Sequence, residues 1–90
     1  MLFMVVETFP LGPAPVRERF LVKGRMLGDA VHHASWLDAD GMRCYQLMEA
    51  QSLEIMQQWM AEWDDLMDCE VVPVSTSADF WAAYDAVLKS

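Results

Sequence analysis

His32 and His33 are the only histidines in a chain of 90 residues, and histidine is the side chain whose charge changes most readily near neutral pH. Adjacent residues of a strand point to opposite faces, so this pair cannot close on one metal ion, and no metal site is expected. Either ring could act as a general acid or base if a carboxylate such as Glu49 or Glu7 stood beside it on the face away from the helices. The competing reading is a histidine packed at a subunit interface with one ring nitrogen satisfied. Glu7 follows the apolar run Leu2-Phe3-Met4-Val5-Val6, and Arg43 falls on a neighbouring strand. In one register the two pair across the sheet, with Asp38 nearby. Such a pair could orient a polar ligand, or it could be a structural ion pair at the sheet rim, since a buried carboxylate needs a partner in both cases. Trp36, Tyr45 and Gln46 complete the candidates, as the lining of a ligand pocket or as interface filling.

These side chains must be held by elements that the pattern makes legible. Residues 2–9 read as a first strand, and residues 10–15 as a Pro-rich break whose last proline, Pro15, suits the first turn of a helix. Val16, Phe20, Gly24 and Leu27 recur at helical spacing, which predicts a helix to about Leu27 with Gly28 as its stop. Residues 30–38 and 42–49 flank Asp38-Ala39-Asp40-Gly41, the clearest hairpin signal, with Gly41 suited to the left-handed position of a turn with a bulge. A two-residue Asp40-Gly41 turn would shift the register by one residue and exchange the faces. Ser52 can cap a second helix to about Leu66, with Leu53, Met56, Met60 and Trp63 along one side and Trp59 widening it. A last strand over about Glu70 to Val74 contains Pro73, which cannot donate a ladder hydrogen bond and so belongs at an edge or a bulge. Thr76 or Ser77 then caps a third helix with the stripe Phe80, Trp81, Tyr84, Val87 and Leu88.

The order βαββαβ predicts a single α+β domain over residues 1–90, ferredoxin-like, with an antiparallel sheet in the order 4-1-3-2 and an added C-terminal helix. The runs at residues 2–6 and 71–74 do not alternate apolar with polar residues, so the sheet is apolar on both faces while the helices cover one. A second copy of the chain is the expected cover. Cys44 and Cys69 then lie on strands separated by the first, too far apart for an intrachain disulfide.

A formal net charge of −8 argues against a nucleic-acid partner, because phosphate binding draws on clustered Lys and Arg. The basic residues Arg17, Arg19, Lys23 and Arg25 do cluster, but Glu62, Asp64, Asp65, Asp68 and Glu70 can neutralise them across packed helices. An anion site beside the first helix is the other reading. No apolar stretch is long enough for a membrane span, and the start lacks a signal-peptide pattern, so a cytoplasmic protein is expected. The two cysteines form no CxxC motif or disulfide framework. There is no Gly-rich phosphate loop or nucleophile elbow, and no cofactor is assigned. Eight methionines and four tryptophans supply adaptable apolar surface that can pack a core or receive a hydrophobic ligand.

The segments MLFMVVE (1–7), KGRM (23–26) and DG (40–41) with RCYQLMEA (43–50) resemble a family of small bacterial proteins known as domain of unknown function 3303, with the likeness running from Met1 through Val74. By looser analogy the pattern is similar to the dimeric α/β-barrel group, in which ferredoxin-like subunits pack sheet to sheet and some members hold a ligand between sheet and helices. That group includes monooxygenases acting on quinols or haem, small isomerases and ligand-sensing modules. Its cofactor-independent and haem-degrading monooxygenases typically use an Asn with Trp and His, and this chain has no Asn. The resulting expectation is a homodimer that binds a small, partly apolar molecule or a partner protein without catalysis. The alternatives are an acid-base isomerase or lyase that uses His32 or His33 with a carboxylate, and a purely structural dimer or complex subunit.

Overall fold

The computed structural model describes residues 1–89. Four strands, β1 (Leu2–Thr8), β2 (Val31–Leu37), β3 (Arg43–Glu49) and β4 (Asp68–Val74), form one antiparallel sheet in the order β2-β3-β1-β4. Helices α1 (Pro13–Lys23) and α2 (Leu53–Ala61) complete the ferredoxin-like order, and α3 (Ser77–Lys89) follows β4. The expected order 4-1-3-2 is this arrangement read from the opposite edge. Pro73 lies on edge strand β4, opposite Phe3 of β1, where a missing N–H need not break a second ladder.

Strand β1 is central, and its burial alternates residue by residue. Phe3, Val5 and Glu7 face the helices and are fully or almost fully buried, while Leu2, Met4, Val6 and Thr8 lie on the other face, half-covered. Neighbouring strands share this alternation because opposed residues in a ladder point the same way. Cys44, Gln46 and Met48 therefore join the buried face from β3, and Cys69 and Val71 from β4. Met56 and Trp59 of α2, with Trp63 and Met67 beyond it, close the core over them.

Both covering helices are shorter than their periodicity suggests. Helix α1 ends at Lys23 because Gly24 turns left-handed at φ 67° and returns its N–H to the Phe20 carbonyl, a conformation glycine adopts without steric cost. Met26 and Gly28 are also left-handed, so residues 24–28 form a loop where a last helical turn was expected. Ser52 caps α2, its Oγ accepting from the Ile55 N–H at 3.4 Å. That helix gives way at Glu62 to turns running to Leu66. At the hairpin, Gly41 takes φ 73° and donates to the Asp38 carbonyl at 3.0 Å. The Asp38 carboxylate accepts from the N–H groups of Met42 and Arg43, contacts that hold its pKa below the usual value, the Arg43 N–H having the largest effect. Thr76 caps α3 through its Oγ1 and the Asp79 N–H, 3.0 Å apart.

Arg19 on α1 makes a bidentate ion pair with Asp65 beyond α2, at 2.6 and 2.7 Å, and also donates to the Glu62 carbonyl. The basic and acidic groups thus meet across the helix layer at this pair. Helix α3 adds little to the fold, since all of residues 75–89 are exposed. Among the described residues, the rings of Phe80, Trp81 and Tyr84 pack against one another, edge-on or stacked. The radius of gyration, 15.4 Å, exceeds the roughly 12 Å expected of a compact chain of this length.

Phe3 is wholly buried on the central strand, so truncation leaves a cavity that rigid sheet neighbours cannot collapse into. Phe3→Ala is expected to lower the unfolding free energy by about 3–5 kcal/mol, as measured by urea denaturation followed by circular dichroism.

Candidate functional site

The helix layer does not seal the sheet. Between α1 and the strands β1, β2 and β3 lies a cleft of about 560 Å³, within the range of small-molecule sites. Its walls are apolar and largely aromatic: Phe9 after β1, Val16 and Phe20 from α1, and Trp59 and Trp63 from the second helical segment. Ser35, Trp36 and Leu37 of edge strand β2 line its mouth, where α1 leaves the sheet uncovered.

The loop after α1 fixes the wall opposite the mouth. Its left-handed residues Gly24 and Met26 bring the Arg25 carbonyl onto two indoles, and both Trp59 Nε1 and Trp63 Nε1 donate to it, at 3.0 and 3.1 Å. A non-glycine residue with φ near 55°, as at Met26, is uncommon and persists where surrounding contacts hold it. Here those contacts are the shared carbonyl and the packing of Met26 against the core. Both tryptophan N–H groups are spent inside the wall, so the rings turn apolar faces to the cleft. The Arg25 guanidinium lies 5.1 Å from the Phe20 ring centre, and that of Arg17 lies 5.7 Å from the same ring.

The floor of the cleft is polar. Glu7 and Gln46, adjacent on β1 and β3 and only 3% and 7% exposed, are the buried polar residues of the described chain. The Gln46 side chain and the Cys44 thiol stand beside the Glu7 carboxyl. Burial pushes its pKa above the ordinary 4.5, against the opposing effects of those two neighbours and the Arg25 charge. Cys44 and Cys69 flank Glu7 in the ladder on either side. Both thiols are free and are pushed up to about 12, by burial first and by the Glu7 charge second. They are therefore protonated and poor nucleophiles at neutral pH. The Gln46 Oε1 atom has no hydrogen-bond partner.

Sequence-derived candidates divide between the two faces of the sheet. Glu7 and Gln46 gather at the cleft, and Trp36 borders it while standing opposite Tyr45 in the β2–β3 ladder and so sharing that residue's face. Arg43 and Tyr45 alternate with Cys44 and Gln46 on β3 and so lie on the opposite face. Glu7 thus stands opposite Cys44 and not Arg43, which stands opposite Thr8; the expected Glu7–Arg43 pair does not form because the β1–β3 register sends the two side chains to different faces. The two histidines do separate: His32 stands opposite Met48, and a bulge after it makes His33 an extra residue in β2. His33 Nε2 lies 2.8 Å from Glu49 Oε1 in an exposed pair. His32 Nε2 is buried without a partner, and its pKa is lowered by burial first and then by Arg25 and His33. Neither imidazole lines the cleft, and no cluster of three or more metal-binding side chains occurs among the described residues.

Arg25, Trp59 and Trp63 were not among the sequence candidates. The available signal was the i, i+4 spacing of the two tryptophans, which puts two indole donors on one helical face in need of an acceptor. The acceptor comes from a loop carbonyl that no side-chain pattern encodes.

The fold and cleft together define a ferredoxin-like α+β domain with a lined, polar-floored space between its helices and sheet. The chain belongs to the family described as Domain of unknown function (DUF3303), which it matches over residues 1–88. No curated protein and no solved structure matches it.

The raised pKa of Glu7 fixes the sign of a pH effect. The folded protein holds this proton more tightly than the unfolded chain does, so its contribution to stability is complete below about pH 4.5 and is lost as pH rises through the folded-state value. Glu7→Gln removes the titration while keeping the shape. The unfolding free energy of that variant minus that of the natural protein is expected to increase between about pH 5 and about pH 8, in paired urea titrations.

Proposed function

We propose that this protein is a cytoplasmic, non-catalytic binding subunit that holds a small, partly apolar molecule in the cleft between α1 and the sheet. The observation that carries this reading is the cleft itself, about 560 Å³ of aromatic-walled space over a floor of two buried polar side chains. A core formed only for stability would close such a space, since interiors pack to the density of organic crystals and voids weaken them. Binding is favoured over acid-base catalysis because both imidazoles lie outside the cleft and both thiols are held protonated. The test fills the space from its exposed helical rim. Ala14→Trp is expected to leave the circular dichroism spectrum unchanged and to abolish the thermal stabilisation that millimolar naphthalene-sized aromatic probes give the natural protein. If no probe stabilises the natural protein, the reading fails.

The unit that carries this cleft is a homodimer in the same proposal. The face of the sheet away from α1 and α2 bears Leu2, Met4, Val6, Leu47, Val72 and Val74, and α3 presents Phe80 and Trp81, at 52% and 55% exposure. Two apolar surfaces on one chain that do not cover each other are satisfied together when a second copy supplies the sheet face and the helix. Sedimentation equilibrium at micromolar concentration is expected to give twice the chain mass of 10.3 kDa. The double variant Phe80→Ser/Trp81→Ser should shift the mass toward the monomer. A stable monomer of the natural chain would contradict the assembly.

A further inference from the structure

The charge of the cleft lining runs against that of the chain. The sequence has 14 acidic residues and 6 basic ones, yet among the described residues the lining includes Arg17 and Arg25 against a single carboxylate, Glu7. That carboxylate is only 3% exposed, and burial favours its neutral form. The charge that meets a ligand therefore comes from the arginines.

Arg25 is the better placed of the two. It is half-buried where Arg17 is exposed, and its charge reaches Glu7, Cys44 and His32. Arg19 spends its guanidinium on Asp65 and the Glu62 carbonyl. Arg25 makes no such ion pair or side-chain hydrogen bond among the described residues, where the ion pairs are Arg19–Asp65 and His33–Glu49. What holds its guanidinium is the Phe20 ring, 5.1 Å away. A cation–π contact engages the charge and leaves the N–H donors for an acceptor. Arg17 stands 5.7 Å from the same ring, so two like charges converge there and raise a positive potential that an anion relieves. Ser35, opposite Gln46 in the ladder, adds a hydroxyl to the lining from β2.

The rest of the lining fixes the body of the ligand. Phe9, Phe20, Trp59 and Trp63 supply ring surface, and both indole N–H groups already end on the Arg25 carbonyl. An inorganic anion would use the arginines and leave the rings bare. A hydrocarbon would cover the rings and strip water from a guanidinium without replacing its hydrogen bonds. A carboxylate on a flat apolar frame satisfies both, because its two oxygens match the N–H fork of arginine.

We infer that the cleft takes one- or two-ring aromatic carboxylates, with the carboxylate on the Arg25 guanidinium, Arg17 adding to the attraction, and the frame on the tryptophan and phenylalanine rings. This specificity rests on the binding role proposed for the cleft and adds which ligands it accepts.

The test compares three probes on one frame by isothermal titration calorimetry at pH 7.5 and about 0.15 M salt, which screens the long-range field of the chain. They are 2-naphthoate, the neutral 2-naphthamide and the cationic 2-naphthylmethylammonium. The carboxylate is expected to bind about tenfold more tightly than the amide, as one charge-assisted pair would give, with the cation weakest. Arg25→Met keeps an apolar stem and the backbone carbonyl that anchors the indoles, and should bring the carboxylate down to the affinity of the amide. Lys23→Met removes a positive charge from α1 outside the cleft and should leave the preference intact. The probe comparison on the natural protein needs no variant and stands even if Arg25→Met fails to fold. Equal affinities, or tighter binding of the amide or the cation, would overturn the anion preference while leaving the cleft a binding site. Binding of none of the three would overturn both the preference and the binding role beneath it. A preference that survives in folded Arg25→Met, or that Lys23→Met abolishes equally, would overturn the assignment to Arg25.

Discussion

Everything in this fold follows from a strand that is hydrogen-bonded on both sides. Strand β1 pairs with β3 and β4 over its whole length, and its alternation dictates which residues of the neighbouring strands face the helices. With Phe3 and Val5 committed to the helix side, Glu7 must follow them at the next position of the same face. The carboxyl is buried as a consequence of strand geometry, and its surroundings have adapted to it. Gln46 and Cys44 stand beside it on β3, where they favour its charged form, and Cys69 stands on its other side. A buried polar group needs such partners.

The same constraint explains why the cleft lies where it does. Helix α2 and the turns after it bring Met56, Trp59, Trp63 and Met67 over the buried face, the last three of them along the cleft. Helix α1 contributes no fully buried residue and lines the cleft together with the edge strand β2. The gap is propped open by a rigid wall, two indoles tied to one backbone carbonyl in a loop with a strained residue at Met26. A polar floor, a rigid aromatic wall and an uncovered edge strand are separate features of the chain, and sheet register brings them to one place.

Much of the architecture was legible because it rests on local rules. The strand order follows from βαββαβ connectivity, Pro73 requires an edge, Gly41 supports the hairpin turn, and Ser52 and Thr76 cap the helices that follow them. Helix ends were less legible. The spacing of Val16, Phe20, Gly24 and Leu27 continues through a point where Gly24 turns left-handed, since Met26 and Leu27 pack on the core from a loop. Periodicity records burial and does not distinguish a helical turn from a loop folded back onto the same core. Of the site, Glu7, Gln46 and Trp36 were among the candidates read from the sequence. Arg43 and Tyr45 share the sequence neighbourhood of Gln46 but not its face.

By itself, then, the sequence determined the elements, their order around the sheet and the presence of more apolar surface than two helices can cover, because these depend on residue type, turn chemistry and short-range spacing. Tertiary structure decided the β1–β3 register, which put Cys44 and not Arg43 opposite Glu7 and kept Gln46 on the same face, and it decided that two tryptophans would share the Arg25 carbonyl. Both are relations between distant segments. A one-residue change in pairing reverses every side chain on a strand, and a backbone carbonyl is the same in every residue, so only the folded chain shows which one a buried donor will reach.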